Sequence, residues 1–274
     1  MKTTKKETKK AVMTLGCAGA LFSALNKEFD HPRETEEKAS ILLCGGLLQT
    51  GHQCGMLWGS TLAAGAEAFR KAKNKDKAIG LAIETSRNLL KSYANRTGTN
   101  NCKDVTQCDF SKPLGLVKYL VTGKTITCRR LAASWAPEAM HVAKNELVNR
   151  SNGIPKKCKS CASEVAKKMG ASDEEVVLVS GFAGGVGLSG NACGALGAAI
   201  YMKMLDWFRN HPGKTPSYFK NPEAEKVMHV FNDVTHSKIL CSEICEKRFN
   251  TLAEHTEFIE KGGCSKLIDS IAST

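Results

Sequence analysis

Aromatic residues and proline are scarce in this chain. Phe, Trp and Tyr make up 6% of the 274 residues, and 7 prolines accompany 24 glycines. Because β-sandwiches draw on aromatic and β-branched residues, this composition argues against an all-β fold. Hydrophobic residues reach 42% against 24% charged residues, which is a globular balance and not a disordered one. We therefore expect a folded, all-α protein.

Several signatures of catalysis and of nucleic-acid binding are missing. The sequence contains no Walker sequence, nucleophile elbow or H-E-x-x-H motif. Gly184-Gly185-x-Gly187 is rich in glycine but lacks the preceding strand of a dinucleotide site. The net charge is +12, yet no aromatic and basic platform accompanies it. We expect no nucleic-acid binding, and a basic surface that can steer an acidic protein partner.

Two features imitate membrane or export signals. Lys2 to Lys10 followed by the apolar residues 11–25 resembles a secretory signal, but cleavage there would remove Cys17, which belongs to a repeat described below. We predict retention in the cytoplasm, with export as the alternative. The uncharged windows 39–66 and 176–202 have polar, glycine-rich centres, which favour buried helices joined by tight turns. No membrane span is predicted.

The chain holds 12 cysteines, more than packing alone explains. Disulfide scaffolds are usually short secreted chains with poor cores, and this chain is neither short nor poor in core residues. Metal binding or thiol redox chemistry is the better explanation.

The cysteines reveal an internal duplication. Each half carries a Cys-Ala pair, a small-Gly pair, a Cys-Gly-x-Leu segment, a cysteine 48 residues after that segment's cysteine, and a final Cys-x-x-Leu. The matched cysteines are Cys17, Cys54, Cys102 and Cys128 in the first half, and Cys161, Cys193, Cys241 and Cys264 in the second. Cys44, Cys108, Cys158 and Cys245 have no counterpart. We predict two helical pseudo-repeats, 1–150 and 151–274, packed around cysteine-lined sites.

Local signals within the halves are helical. Ser172-x-x-Glu175 is a capping box, and Asn221-Pro222 combines an N-cap with proline in the first turn. Ala136-Pro137-Glu138 has the same character and predicts another helix start.

The order of these motifs resembles the bacterial and archaeal C-GCAxxG-C-C family of redox-active proteins, in two tandem copies. The motif reads Cys54-Gly55-Met56-Leu57-Trp58-Gly59 in the first copy, where Met56 replaces Ala. It reads Cys193-Gly194-Ala195-Leu196-Gly197-Ala198 in the second, where Ala198 replaces the final Gly. The resemblance implies a helical redox protein whose cysteines bind an iron-containing centre. Split-Soret cytochromes carry a similar module together with haem, but this chain has no C-x-x-C-H sequence, so covalent haem is not expected.

Four matched cysteines per half equal the ligand number of many iron–sulfur clusters. Their spacing is not that of compact ferredoxin motifs, so the ligands have to come from different helices. We predict the eight matched cysteines as metal ligands. Gly45, Gly46, Gly184 and Gly185 are predicted to let the backbone approach a bulky inorganic group, with close helix packing as the alternative.

A zinc site is the alternative cofactor. Cys158-x-x-Cys161 and Cys241-x₃-Cys245 together offer four thiolates, as structural zinc requires. Cys158-x-x-Cys161 alone resembles a dithiol redox pair, whose thiol pKa a helix N-terminus and nearby lysines would lower.

The sequence thus predicts an iron–sulfur redox protein that transfers electrons or reduces a small molecule, with a redox protein as its partner. A thiol-disulfide or zinc-stabilised protein, and a homodimer, remain the alternatives.

Overall fold

The fold is described by a computed structural model covering residues 2–72, 74–110, 112–149 and 154–274. Within these ranges the chain forms fourteen α-helices and no β-strand, which confirms the all-α prediction. The first half contains α1 (Lys5–Glu28), α2 (Glu34–Ala39), α3 (Gly55–Lys71), α4 (Lys75–Thr97), α5 (Cys102–Thr106), α6 (Pro113–Val121) and α7 (Lys124–Asn149). The second contains α8 (Cys161–Lys168), α9 (Asp173–Leu178), α10 (Gly194–Asn210), α11 (Pro222–Thr235), α12 (Cys241–Ile244), α13 (Leu252–Glu260) and α14 (Ser265–Ala272).

The seven helices of each half follow the same order. Helices α3 and α10 both have 17 residues and both begin directly after a matched cysteine, while α6 and α13 both have 9. A 3₁₀ turn follows α2 in the first half and α9 in the second. The order therefore agrees with two pseudo-repeats. Their predicted junction between residues 150 and 151 lies outside the described residues.

Two of the three predicted helix starts are correct. Ser172 and Glu175 form the reciprocal capping box of α9, and the Asn221 side chain accepts from the amides of Glu223 and Ala224 at the start of α11. The predicted start at Pro137 is wrong, because Pro137 lies inside α7. Buried residues before and after Pro137, including Ala132, Ala139 and Ala143, hold α7 in the core on both sides of the proline.

The halves pack into each other and share one core. Helix α3 contacts α9, and α10 contacts α2 in the reciprocal arrangement. A Cβ atom on Gly65 of α3 would overlap the carbonyl oxygen of Leu178, and one on Gly197 of α10 would overlap the Trp58 ring. Glycine at these positions lets the helices of opposite halves approach closely.

Each half contains a left-handed turn at the same position. Gly45 to Gln49 all have positive φ, and so do Gly184 to Leu188. Both turns close with the same long-range hydrogen bonds, such as Gly51 N–H to the Gly45 carbonyl and Gly190 N–H to the Gly184 carbonyl. Residues other than glycine rarely adopt this conformation, so the core must hold the turns in place.

Among the described residues, no helix has the length and apolar character needed to cross a bilayer.

Candidate cysteine sites

Five cysteines of the first half line one cavity of about 290 Å³. We call it the first cavity; its cysteines are Cys17, Cys44, Cys54, Cys102 and Cys128. Four of them are the matched cysteines of the first half, and Cys44 is an addition. No lining residue among those the structure describes carries a carboxylate, imidazole, ammonium or guanidinium group. Among the described lining residues, the ionisable groups are therefore the five thiols and the phenols of Tyr119 and Tyr218.

Helix starts position most of these sulfurs. Cys54 caps α3, and Cys102 is the first residue of α5. Gly16 has a φ of 69° that breaks α1, so Cys17 begins its second segment, and the Ala18 amide there donates to the Cys44 sulfur over 3.3 Å. The positive end of a helix dipole and its free amides favour an anionic sulfur.

Two glycines make room for the sulfurs. A Cβ atom on Gly16 would lie 2.6 Å from the Cys44 sulfur, and one on Gly55 would lie 2.5 Å from the Cys17 sulfur. Both distances are far below van der Waals contact. A side chain at either position would displace a thiol from the cavity wall.

Polar groups without partners surround the first cavity. The Gln49 amide nitrogen, in a residue that lines the cavity, is buried and donates to nothing. The fully buried Tyr93 hydroxyl has no hydrogen-bond partner either, and it lies near Cys54, whose thiol pKa the neighbouring Cys17 and burial raise well above its usual value. Tyr119 lines the cavity, and its hydroxyl opposes, without offsetting, the rise in the Cys128 thiol pKa that burial causes. Unsatisfied buried donors are costly, and a negatively charged group bound among the sulfurs would satisfy them.

Burial keeps the thiols protonated at neutral pH. It raises the pKa of Cys128 to about 11, and burial with the neighbouring Cys54 raises that of Cys102 well above its usual value. Hydrogen bonding to Cys44 raises the pKa of Cys17 in the same direction. These thiols become good thiolate ligands only when a cation binds and replaces their protons.

Five cysteines of the second half form a compact group, which we call the second cluster. It consists of Cys161, Cys193, Cys241, Cys245 and Cys264, around a cavity of about 10 Å³. The Cys245 sulfur lies 3.6 Å from that of Cys264 and 3.9 Å from that of Cys241. Phe249 and Phe258 complete the wall. The cavity of the second cluster has room for about one water molecule, whereas the first cavity is large enough for a bulkier group.

The four predicted glycines serve the left-handed turns. Cβ atoms on Gly46 and Gly185 would overlap or crowd the backbone of His52 and Asn191. Gly45 lines the first cavity, and the Gly184 amide hydrogen-bonds to the Cys161 sulfur and lowers its pKa, against the larger effect of burial. Gly46 and Gly185 therefore have a packing role within the turns, whereas Gly45 and Gly184 lie at the cysteine sites.

Two cysteines lie outside both groups. Cys108 is buried and its sulfur donates to the Thr106 carbonyl. Cys158 lies beside Gly80 and lines a different cavity. The lowered thiol pKa expected for Cys158 and Cys161 is wrong, because burial raises the pKa of each to about 12. The adjacent lysines are too solvated to offset that burial.

No single-ion site is preformed. Among the described residues, no three His, Cys, Asp or Glu side chains are arranged to hold one metal ion. The four cysteines of the predicted zinc site are divided, since Cys158 lines a separate cavity from Cys161, Cys241 and Cys245.

Two cavity cysteines and the hydroxyl donors escaped the sequence analysis. Cys44 was set aside because it has no counterpart in the other half, and Cys245 was assigned only to the alternative zinc site. The spacing of four residues from Cys241 to Cys245 correctly indicated that these two lie together, since such residues share a helix face. Nothing local indicates that Tyr218, from the second half, lines the first cavity.

His255 lines the second cluster and predicts acid sensitivity. Its Nδ1 lies 3.2 Å from the Lys159 carbonyl, and burial lowers its pKa from 6.5 to about 4. Between pH 6.5 and 4 the unfolded chain binds a proton that the folded chain does not. The free energy of unfolding should therefore fall by about 2 to 3 kcal/mol across that window. Urea unfolding of the wild type and of His255→Gln at pH 7 and pH 4.5 measures it; equal pH dependence in both would refute the assignment.

Comparison with known proteins gives one family. The model of the family described as "Putative redox-active protein (C_GCAxxG_C_C)" matches residues 15–172 and again residues 157–274. The two matches contain the first cavity's and the second cluster's cysteines respectively, which confirms the resemblance and its tandem form. No curated protein and no solved structure matches the chain.

Proposed function

We propose, since the chain belongs to the C_GCAxxG_C_C family of redox-active proteins, that it is an iron–sulfur protein which transfers electrons or reduces a small molecule. The observation that carries the proposal is the convergence of five cysteines on one cavity of about 290 Å³. A cavity of that size, walled by thiols and free of carboxylate and imidazole ligands, suits a cluster better than it suits a lone hard cation.

The residues of the first cavity fit such a group. Cys17, Cys54, Cys102 and Cys128 would be its ligands, with Cys44 as a fifth thiol beside them. An iron–sulfur cluster would supply reversible one-electron oxidation and reduction. The amide of Gln49 and the hydroxyls of Tyr93 and Tyr119 would donate hydrogen bonds toward its sulfurs, which stabilises negative charge there.

Most of the remaining wall of the first cavity is apolar, and its polar residues are Thr14, Gln49, Thr106, Tyr119 and Tyr218, none of them charged at neutral pH. Val12, Ile41, Val105, Phe110 and Leu116 exclude water from the sulfurs and offer no charge to bind an ionic substrate. Any small molecule reduced there would therefore be uncharged and largely apolar.

The first experiment is elemental analysis of protein purified without oxygen. Iron, acid-labile sulfide and zinc are measured per chain beside the visible spectrum. Iron with matching sulfide supports the proposal, and one cluster per chain agrees with a site in the first cavity only. Colourless protein with neither iron nor sulfide contradicts it, and stoichiometric zinc instead would favour the zinc alternative.

The second cluster favours a second function, thiol-disulfide redox chemistry. Cys245 lies 3.6 Å from Cys264 across a cavity too small for a cluster. In the reaction the two thiols lose two electrons and two protons, and one S–S bond forms between them. The two electrons and two protons pass to an oxidant: a disulfide, which is reduced to two thiols, or a diazene, which is reduced to a hydrazine.

We predict that diamide converts Cys245 and Cys264 into one disulfide. Because burial and neighbouring thiols raise both pKa values, oxidation should be slow at pH 7 and faster at higher pH. Peptide mapping after alkylation measures the linked pair. Cys158→Ser is the matched control and should leave the link intact. Recovery of both cysteines as alkylated thiols after long oxidation would argue against the pair.

A further inference from the structure

Exposed apolar side chains lie at and beside the first cavity, since Met13 and Phe219 line it and the others belong to segments that contribute further lining residues. We call them the apolar collar: Met13, Leu114, Val117, Leu120, Val121, Ile126 and Phe219, each between 47% and 79% exposed. They are seven of the eight large hydrophobic residues that are exposed in the described part of the chain, and the eighth is Val148. Such clustering on a folded surface marks an interaction site.

Helix α6 shows why the collar needs a cover. Its residues Leu116 and Tyr119 face inward and line the first cavity. Leu114, Val117 and Val121, spaced three and four residues apart, form an apolar stripe on its exposed side. Apart from Lys118, the residues of α6 are apolar on both sides, and a helix of that kind is normally buried. Here the chain itself covers only one side of it.

The collar lies in the most basic part of the chain. The three segments that contribute it, residues 2–14, 107–130 and 211–220, hold twelve Lys and Arg residues and only two acidic ones, Glu7 and Asp109. The whole chain has a net charge of +12, so most of the excess lies in these segments. This arrangement selects a partner with negative charge around an apolar centre.

We propose that the collar is the docking surface for an acidic electron-carrier protein. The inference rests on the proposed function, because a carrier has a reason to dock over the first cavity only if that cavity holds a redox centre. With a cluster held by the cavity cysteines, one electron would pass to it from the reduced carrier, so the carrier would be oxidised and the cluster reduced, with no bond formed or broken.

Two other occupants fit less well. A second copy of this chain would bring two strongly basic faces together, which is repulsive. Proteins that contact a membrane surface usually place tryptophan at the interface. None of the three tryptophans lies in the collar, since Trp58 and Trp135 are fully buried and Trp207 is on α10.

The test uses an acidic plant-type ferredoxin as the probe and the anaerobically purified full chain. Binding is measured by titration calorimetry at increasing NaCl concentration. Val117→Glu on the collar is matched by Val148→Glu, an equally exposed valine outside it. Lys118→Glu is matched by Lys91→Glu on α4. Iron and sulfide are assayed in every sample.

We expect Kd to rise steeply with salt, and to rise about tenfold or more in Val117→Glu and Lys118→Glu. The two control variants should stay within about twofold of the wild type. The docking inference fails if ferredoxin does not bind, or if each variant matches its control. It also fails if sedimentation shows a dimer that Val117→Glu dissociates, or if the collar binds anionic phospholipid vesicles instead. Absence of iron and sulfide would overturn the proposed function separately, whatever the binding shows.

Discussion

Cys54→Ser is expected to remove nearly all of the iron and labile sulfide of the cluster proposed for the first cavity. Cys54 caps α3 at the centre of the site, where its buried sulfur neighbours the Cys17 thiol and the Tyr93 hydroxyl. Serine is smaller and its hydroxyl is a poor ligand for iron in this setting, so the substitution leaves the remaining cysteines without a full ligand set. Iron and sulfide per chain, with the visible spectrum, measure the loss.

Two matched serine variants make this result specific. Cys108→Ser changes a buried cysteine of the same half that does not line the cavity, and should keep the iron. Cys193→Ser changes the repeat counterpart of Cys54 in the second cluster, and should keep it too if only the first cavity holds a cluster. Iron unaffected by Cys54→Ser in a folded chain would remove the first cavity as the metal site.

Gly59→Ala is expected to destabilise the protein by about 4 kcal/mol, a loss of roughly 10 °C in Tm. A Cβ atom on Gly59 would overlap the carbonyl oxygen of Ala18 and lie 2.7 Å from its carbon. Both are backbone atoms, so α1 and α3 would have to separate. Because Cys17 and Cys54 lie on these helices, the same substitution would also widen the first cavity. Thermal and urea unfolding measure the effect.

The repeat itself supplies the control for Gly59. Its counterpart in the second half is Ala198, which is fully buried and accommodated. The reverse change, Ala198→Gly, should therefore cost only about 1 kcal/mol, mostly from the helix propensity of glycine. Equal costs for the two substitutions would show that the close approach of α1 and α3 does not explain the need for Gly59.

The sequence predicts those site residues that recur in both halves and does not predict those that occur in only one. Matching the halves identified four of the five cysteines that line each site, because duplication repeats their positions. It passed over Cys44 and Cys245 for the same reason, since each occurs in only one half. Tyr93 and Gln49 reach the first cavity through packing of distant helices, which leaves no local pattern in the chain.

The fold was predictable to a similar extent. Capping residues such as Ser172 and Asn221 fix helix starts locally, and those predictions are correct. Pro137 has the same local signal, but tertiary burial on both sides of it keeps α7 continuous. The glycine pairs indicate turns, whereas their left-handed course depends on the core and not on local preference.

The left-handed turns have a consequence for the order in which the protein folds. Leu47 and Val186 lie in these turns and are fully buried, at a backbone cost of about 1 to 2 kcal/mol for each such residue. In a chain fragment no buried contacts of Leu47 and Val186 offset that backbone energy, so we expect the turns to form only once the surrounding core has assembled. Cys44 immediately precedes the first turn. We therefore expect the Cys44 thiol to reach the first cavity late in folding, so that all five sulfurs come together only in the fully folded chain.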